Sequence, residues 1–221
     1  MLSAHLVPLH QWSARVRVLV SVTLIALICV VPIGKIIADN LGFDGSELHI
    51  VSEFQKASHG FQVISAVFGQ VFAPPMASVA LLLTLCVIQW RYRDWGETIR
   101  GMVMVLIPLA VVLATKILVD RNRPGTALGS LVKDPSFPSG HTAGAVCLVV
   151  LILFAIHLHK QQMTAGVVHQ WIYVLAYVVL IAVPICTALT RLVLGVHYPS
   201  DVIASLVLCS LISGSIYSIT R

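Results

Sequence analysis

Six stretches of this chain are too long and too apolar for water to be their solvent: 16–38, 61–90, 101–119, 141–157, 171–190 and 202–219. A helix that crosses the hydrocarbon core of a bilayer needs roughly 20 mostly apolar residues. Within lipid, every backbone N–H and C=O must be satisfied by the protein itself, which leaves helices or a closed barrel. Runs of this length select helices. The expected fold is therefore all-α, a polytopic membrane bundle of about six transmembrane helices forming one domain over residues 1–221. Only 10% of the residues are charged, against about 25% in a soluble domain. The net charge of +5 therefore has no soluble basic surface to sit on and is not a nucleic-acid footprint.

The second stretch carries Pro74-Pro75. It is either one tilted span kinked at the prolines, or a surface segment that becomes a span after them. The five cysteines (Cys29, Cys86, Cys147, Cys186 and Cys209) lie in apolar runs without a CxxC pair. They read as small packing residues rather than a disulfide framework or zinc site. The opening "MLSAHLVPLHQWSARVR" is too mixed in polarity for a signal peptide, so the first run is expected to be a retained span.

Lys and Arg counts give the orientation. With the N-terminus inside, Arg15, Arg17, Arg91, Arg93, Arg100, Lys160 and Arg221 face seven on the other side: Lys35, Lys56, Lys116, Arg121, Arg123, Lys133 and Arg191. Setting aside Lys116, Arg123 and Arg191 as site residues makes it seven against four, favouring cytoplasmic termini. The segment 39–60 is either a solvated loop or a short helix on the membrane surface. For the helix, Asp44 and Glu47 resemble a capping pair, and Leu48, Val51 and Phe54 fall at helical spacing.

Ionisable residues beside membrane helices are costly, so their clustering is informative. "KILVDRNRP" ends the third span; its Lys116 and Arg123, seven apart, could share a helix face, and Pro124 forbids continuation. "PSGH", Pro138 to His141, opens the fourth span. "TRLVLGVHYPSD" joins the last two spans, with Arg191 six residues before His197 and Asp201 four after it. Each alone has an ordinary explanation, since basic residues reach for the interface and proline and serine start helices. With six spans, however, all three must open on one side.

Three cations around one point suit a phosphoryl group. The N–H groups of Ser139 and Gly140 at a helix start add to the anion site, and Gly140 has no Cβ to keep a ligand away. A histidine with a carboxylate on one ring nitrogen keeps the other nitrogen free to attack. His197 and Asp201 fit that description, with Pro199 in the first turn of the sixth helix. His197 is expected at a solvent-facing tip. His141 is a second histidine able to act as general acid and later activate water. This set reads as phosphoryl transfer through a phosphohistidine.

The three clusters resemble the signature of the type 2 phosphatidic acid phosphatase superfamily. That signature is a lysine, six residues, then Arg-Pro; Pro-Ser-Gly-His; and Ser-Arg, five residues, His, three residues, Asp. Thr190 stands where the signature has serine. The resemblance implies that Lys116, Arg123, Arg191, Ser139 and Gly140 bind phosphate. It implies His197 as nucleophile, Asp201 as its partner and His141 as general acid. It also implies hydrolysis of a lipid phosphate or diphosphate at the outer membrane face without a metal or other cofactor. Undecaprenyl diphosphate, phosphatidylglycerophosphate and phosphatidic acid are the candidate substrates. Asp39, Asp44, Asp120 and Asp134 are scattered along the sequence and form no paired carboxylate site for Mg²⁺. The remaining histidines are isolated or lie on the opposite side. Ser205, Cys209 and Ser213 form a packing stripe. The competing readings are a lipid phosphotransferase using the same site, a vanadate haloperoxidase, which membrane embedding opposes, and a non-catalytic lipid binder or transporter.

Overall fold

The structure is a computed structural model that describes residues 11–126, 128, 131–162 and 170–220. His5, His10, His169, Arg221 and most of the N-terminal stretch fall outside them. The described residues form α1 (Ala14–Ala38), α2 (Leu41–Gln55), α3 (His59–Val71), α4 (Pro74–Tyr92), α5 (Trp95–Val119), α6 (Gly140–Gln162), α7 (Gln170–Val193) and α8 (Pro199–Ile219). Six of these, all but α2 and α3, are long and apolar enough to span a bilayer.

The expected second span divides in two. Phe72 closes α3, Ala73 turns the chain, and Pro74 and Pro75 occupy the first positions of α4. Proline has no N–H to donate and crowds the preceding turn, but it fits a helix start, where that donor is unused. The candidate span is therefore Pro74–Tyr92 alone, and the residues before it form a separate, shorter helix rather than the first half of a kinked span.

The segment 39–60 is helical, but its capping differs from expectation. Asn40 caps α2, its Oδ1 accepting from the N–H of Phe43. Asp44 and Glu47 turn to another partner, described below. Val51 is fully buried against Ala188, Leu192 and Val202, which docks α2 on α7 and α8; Leu48 stays exposed.

The central helix is α6, which packs on α4, α5, α7 and α8. Small residues permit the close approach: Ala143, Ala145 and Cys147 are buried, and a Cβ on Gly144 would stand 3.0 Å from that of Ala77. Around them Met104, Val105, Leu151, Phe154, Leu208 and Ile212 make the core. The Ser205–Cys209–Ser213 stripe packs inward, with Ser213 donating to the Met104 carbonyl at 2.8 Å. Outward-facing side chains on α1 and α7, such as Ile28, Ile36, Leu175 and Val178, are apolar. The ends of α1, α5 and α7, the starts of α4, α6 and α8, and both short helices gather at one end of the bundle.

Candidate active site

Local chain rules build the site. α5 stops at Val119, where Asp120 takes the left-handed conformation (φ 53°) and its N–H caps the Lys116 carbonyl. The helix thus ends before Pro124 could stop it, and Lys116 and Arg123 do not share a helix face. They meet through Asp134 instead. Its carboxylate takes Lys116 Nζ at 2.8 Å and Arg123 Nη2 at 2.9 Å, while its carbonyl accepts from Arg123 Nε at 2.9 Å. Lys116 also donates to the carbonyl of Pro135. Burial pushes the Asp134 carboxyl up, but the bonds and charges of Lys116 and Arg123 together hold it below its ordinary range.

At the other junction, Gly195 (φ 66°) reverses the chain after α7, and Pro199 starts α8. One turn then brings Asp201 beneath His197. Asp201 Oδ2 accepts the Tyr198 N–H at 2.9 Å and lies 3.2 Å from His197 Nδ1. That contact assigns the proton to Nδ1 and the lone pair to Nε2. Nε2 faces Arg123 Nη1 at 3.1 Å. His197 is 1% exposed, so the solvent-facing tip expected from sequence is instead a buried seat. Burial lowers its pKa to about 4, helped by Arg123 and Lys116 against the pull of Asp201.

Arg191 comes from the end of α7. Its guanidinium donates to the Ser65 carbonyl at 3.2 Å and to the Thr190 hydroxyl. Thr190 therefore orients the arginine; it is not among the cavity residues. Ser65 and Gly69 on α3 form the seat, and a Cβ on Gly69 would overlap the guanidinium. Arg191 is 4% exposed and has no carboxylate partner among the described residues.

Lys116, Arg123, Gly140, His141, Arg191 and His197 line one cavity of about 340 Å³, together with Pro74, Val132, Asp134 and Val196. His141 has no hydrogen-bond partner among the described residues. A Cβ on Gly140 would meet only Pro74 Cγ, at 3.9 Å; what glycine keeps clear there is the cavity, not helix packing. Ser139 departs from expectation. It is wholly buried away from the cavity, its N–H donates to the Asp201 carbonyl, and its own carbonyl accepts from Ser205 at 2.8 Å. Its backbone is a strut between the start of α6 and α8, while its hydroxyl accepts from Thr142 at 3.2 Å.

Sequence reasoning missed Asp134 and Arg121. Asp134 sits four residues before Pro138 in the same "DPSFPSGH" stretch, a signal that was present. Arg121 was counted as a surface charge, yet it is 1% exposed.

The sequence matches the PAP2 superfamily, from residue 98 to residue 221. The chain belongs to the PAP2 superfamily. It is 29% identical over 130 residues to phosphatidylglycerophosphatase B of Bacillus subtilis (strain 168), a match covering 58% of this chain and 61% of that protein's length. Its fold resembles the crystal structure of a transmembrane PAP2 type phosphatidylglycerolphosphate phosphatase from Bacillus subtilis. That likeness has a TM-score of 0.70 and 16% identity, and covers 93% of this chain and 95% of the other. This PAP2 chain is a multi-pass membrane protein, and its cavity residues fall both within and before the matched region: Pro74 and the Ser65–Gly69 seat of Arg191 precede it.

Proposed function

We propose that this PAP2 protein is an integral-membrane phosphatase acting on lipid phosphates or diphosphates without a metal, through a phosphohistidine at the outer membrane face. The observation that carries the reading is Arg191. A buried guanidinium with no carboxylate partner among the described residues, lining the same cavity as His197, is charge placed to take an anion.

In this reading the phosphoryl oxygens lie among Lys116, Arg123 and Arg191, which stabilise the charge spread over them in the transition state. The Nε2 lone pair of His197 forms an N–P bond as the bond from phosphorus to the lipid oxygen breaks. His141, on the first turn of α6, gives its proton to that oxygen. Asp201, on Nδ1–H, balances the positive charge the imidazole gains. Water then attacks phosphorus, His141 takes the water's proton, and the N–P bond breaks to release inorganic phosphate and neutral His197.

The name of the Bacillus relative makes phosphatidylglycerophosphate the first lipid to try. Orientation is supported by charge. With Arg121 buried and Lys116, Arg123 and Arg191 in the cavity, the exposed Lys and Arg at the site end are Lys35, Lys56 and Lys133, which suits an outer face.

The test is phosphate release by detergent-purified protein, in excess EDTA, from phosphatidylglycerophosphate, undecaprenyl diphosphate and phosphatidic acid. His197→Gln serves as control. EDTA-resistant release that disappears in the variant is expected. Release that survives in the variant overturns the nucleophile, and release abolished by EDTA overturns the metal-free reading. Phosphate transfer to an added alcohol in place of water would make the protein a phosphotransferase.

A further inference from the structure

Behind the dyad, and outside the cavity lining, lies a second charged cluster. Arg121 follows α5 and reaches the start of α8. Its Nη1 donates to Asp201 Oδ1 at 2.8 Å and Ser200 Oγ at 2.7 Å. Its Nη2 donates to Glu47 Oε2 at 2.7 Å and to Asp44. All four Nη hydrogens are engaged, and only Nε–H lacks a partner among the described residues. The Tyr198 ring lies against the guanidinium, 4.0 Å from its centroid.

Glu47 does a second task. Its Oε1 accepts the Ser200 N–H at 2.6 Å and its Oε2 the Ser200 hydroxyl at 2.8 Å. Tyr198 has no side-chain cap to offer, so a carboxylate from α2 caps α8 across space.

The division of labour on Asp201 is what matters. Oδ2 holds His197 and the Tyr198 amide, and Oδ1 holds only Arg121 among the described residues. Without Arg121, half of a fully buried carboxylate would have no partner and could turn away from the imidazole.

We infer that Arg121, anchored by Asp44 and Glu47 of α2, is a positioning residue that fixes Asp201 and through it the tautomer and aim of the His197 nucleophile. This rests on the phosphatase reading for its kinetic arm only. Arg121 does not line the cavity, so substrate affinity is not its domain. The fork is essential: a lysine carries the charge but cannot bridge Asp201 on one nitrogen and Glu47 with Asp44 on another. α2, which spans nothing, is thereby part of the machinery.

The test compares Arg121→Lys and Glu47→Gln with wild type. Folding is checked by melting and size exclusion. In Arg121→Lys, kcat should fall about ten- to a hundredfold, as small misplacements of reacting groups do, with KM unchanged. Glu47→Gln, which keeps Arg121 on Asp201 but weakens its anchor, should move the same way by a smaller factor. It decides the matter if Arg121→Lys does not fold.

The second readout needs no turnover. In ¹⁵N-histidine-labelled protein, the His197 imidazole, assigned by its loss in His197→Gln, should show a protected Nδ1–H in wild type and an averaged tautomer in the folded variants. If wild type turns nothing over, the phosphatase reading falls, and the imidazole signal alone decides this inference. An unchanged imidazole signal in a folded variant overturns it, whatever happens to kcat. So does a rise in KM alone, which would make Arg121 a substrate contact.

Discussion

Asp134 holds the two cations that the proposed mechanism gives to phosphate, Lys116 and Arg123, and removing its charge should tighten anion binding. In Asp134→Asn the side chain keeps its shape but no longer holds Lys116 and Arg123 as an ion-pair partner. The Asp134 side chain is 55% exposed, so each bridge is solvent-screened and worth about 0.2–1 kcal/mol. A phosphate that takes over both cations must break both, roughly 0.4–2 kcal/mol in all, which corresponds to about a two- to thirtyfold change in affinity. The dissociation constant of orthovanadate or inorganic phosphate, measured by titration calorimetry in detergent, should therefore fall by a factor in that range. Because its partners hold the Asp134 carboxyl below its ordinary range, wild type should show no comparable tightening on mild acidification. An unchanged or weaker affinity in Asp134→Asn would refute the competition. Asp134 would then be a brace that aims the two cations.

Four further outcomes follow from the structure. Gly69→Ala should cut turnover on the order of a hundredfold by pushing Arg191 off its seat, with little change in melting temperature, because alanine is the better helix former. As the proposed nucleophile, His197 would have to be neutral to attack, so the acid limb of kcat/KM should lie near its value of about 4, not near 6.5; a limb at 6.5 would mean the imidazole is not buried in the working protein. The same lowered pKa makes the unfolded chain bind the proton first. Stability should then be level above pH 6.5 and fall by about 3 kcal/mol as pH drops from there to about 4. Gly34→Ala places a Cβ 2.8 Å from both Phe137 and Val119, and should destabilise the bundle by about 1–3 kcal/mol, measured as a lower melting midpoint in detergent.

Length and apolarity made five spans legible to within a few residues. The sixth stayed open between two readings because hydropathy averages across Pro74-Pro75, whereas the backbone breaks there. The three motif clusters could be placed at one end of the bundle by counting spans, since the parity of crossings needs no side-chain detail. What sequence could not convey is which charges pair across distance. Glu47 and Arg121 are 74 residues apart, so a local capping pattern was a reasonable reading of Asp44 and Glu47, and the tertiary partner overrode it. Ser139 and Thr190 show the same limit. The Thr190 hydroxyl holds Arg191 and that of Ser139 accepts from Thr142, and spacing alone cannot tell such roles from contact with a ligand.

The two prolines at the start of α4 have a consequence for how a molecule lies in the cavity. A helix beginning there would ordinarily offer free amide hydrogens, but Pro74 and Pro75 have none. Of the two helix starts bordering the cavity, that of α6 keeps these donors in its first two positions, whereas α4 presents ring methylenes in both. Charge is drawn to one wall and refused by the other, so an amphiphile with a charged head and an oily tail has one way round.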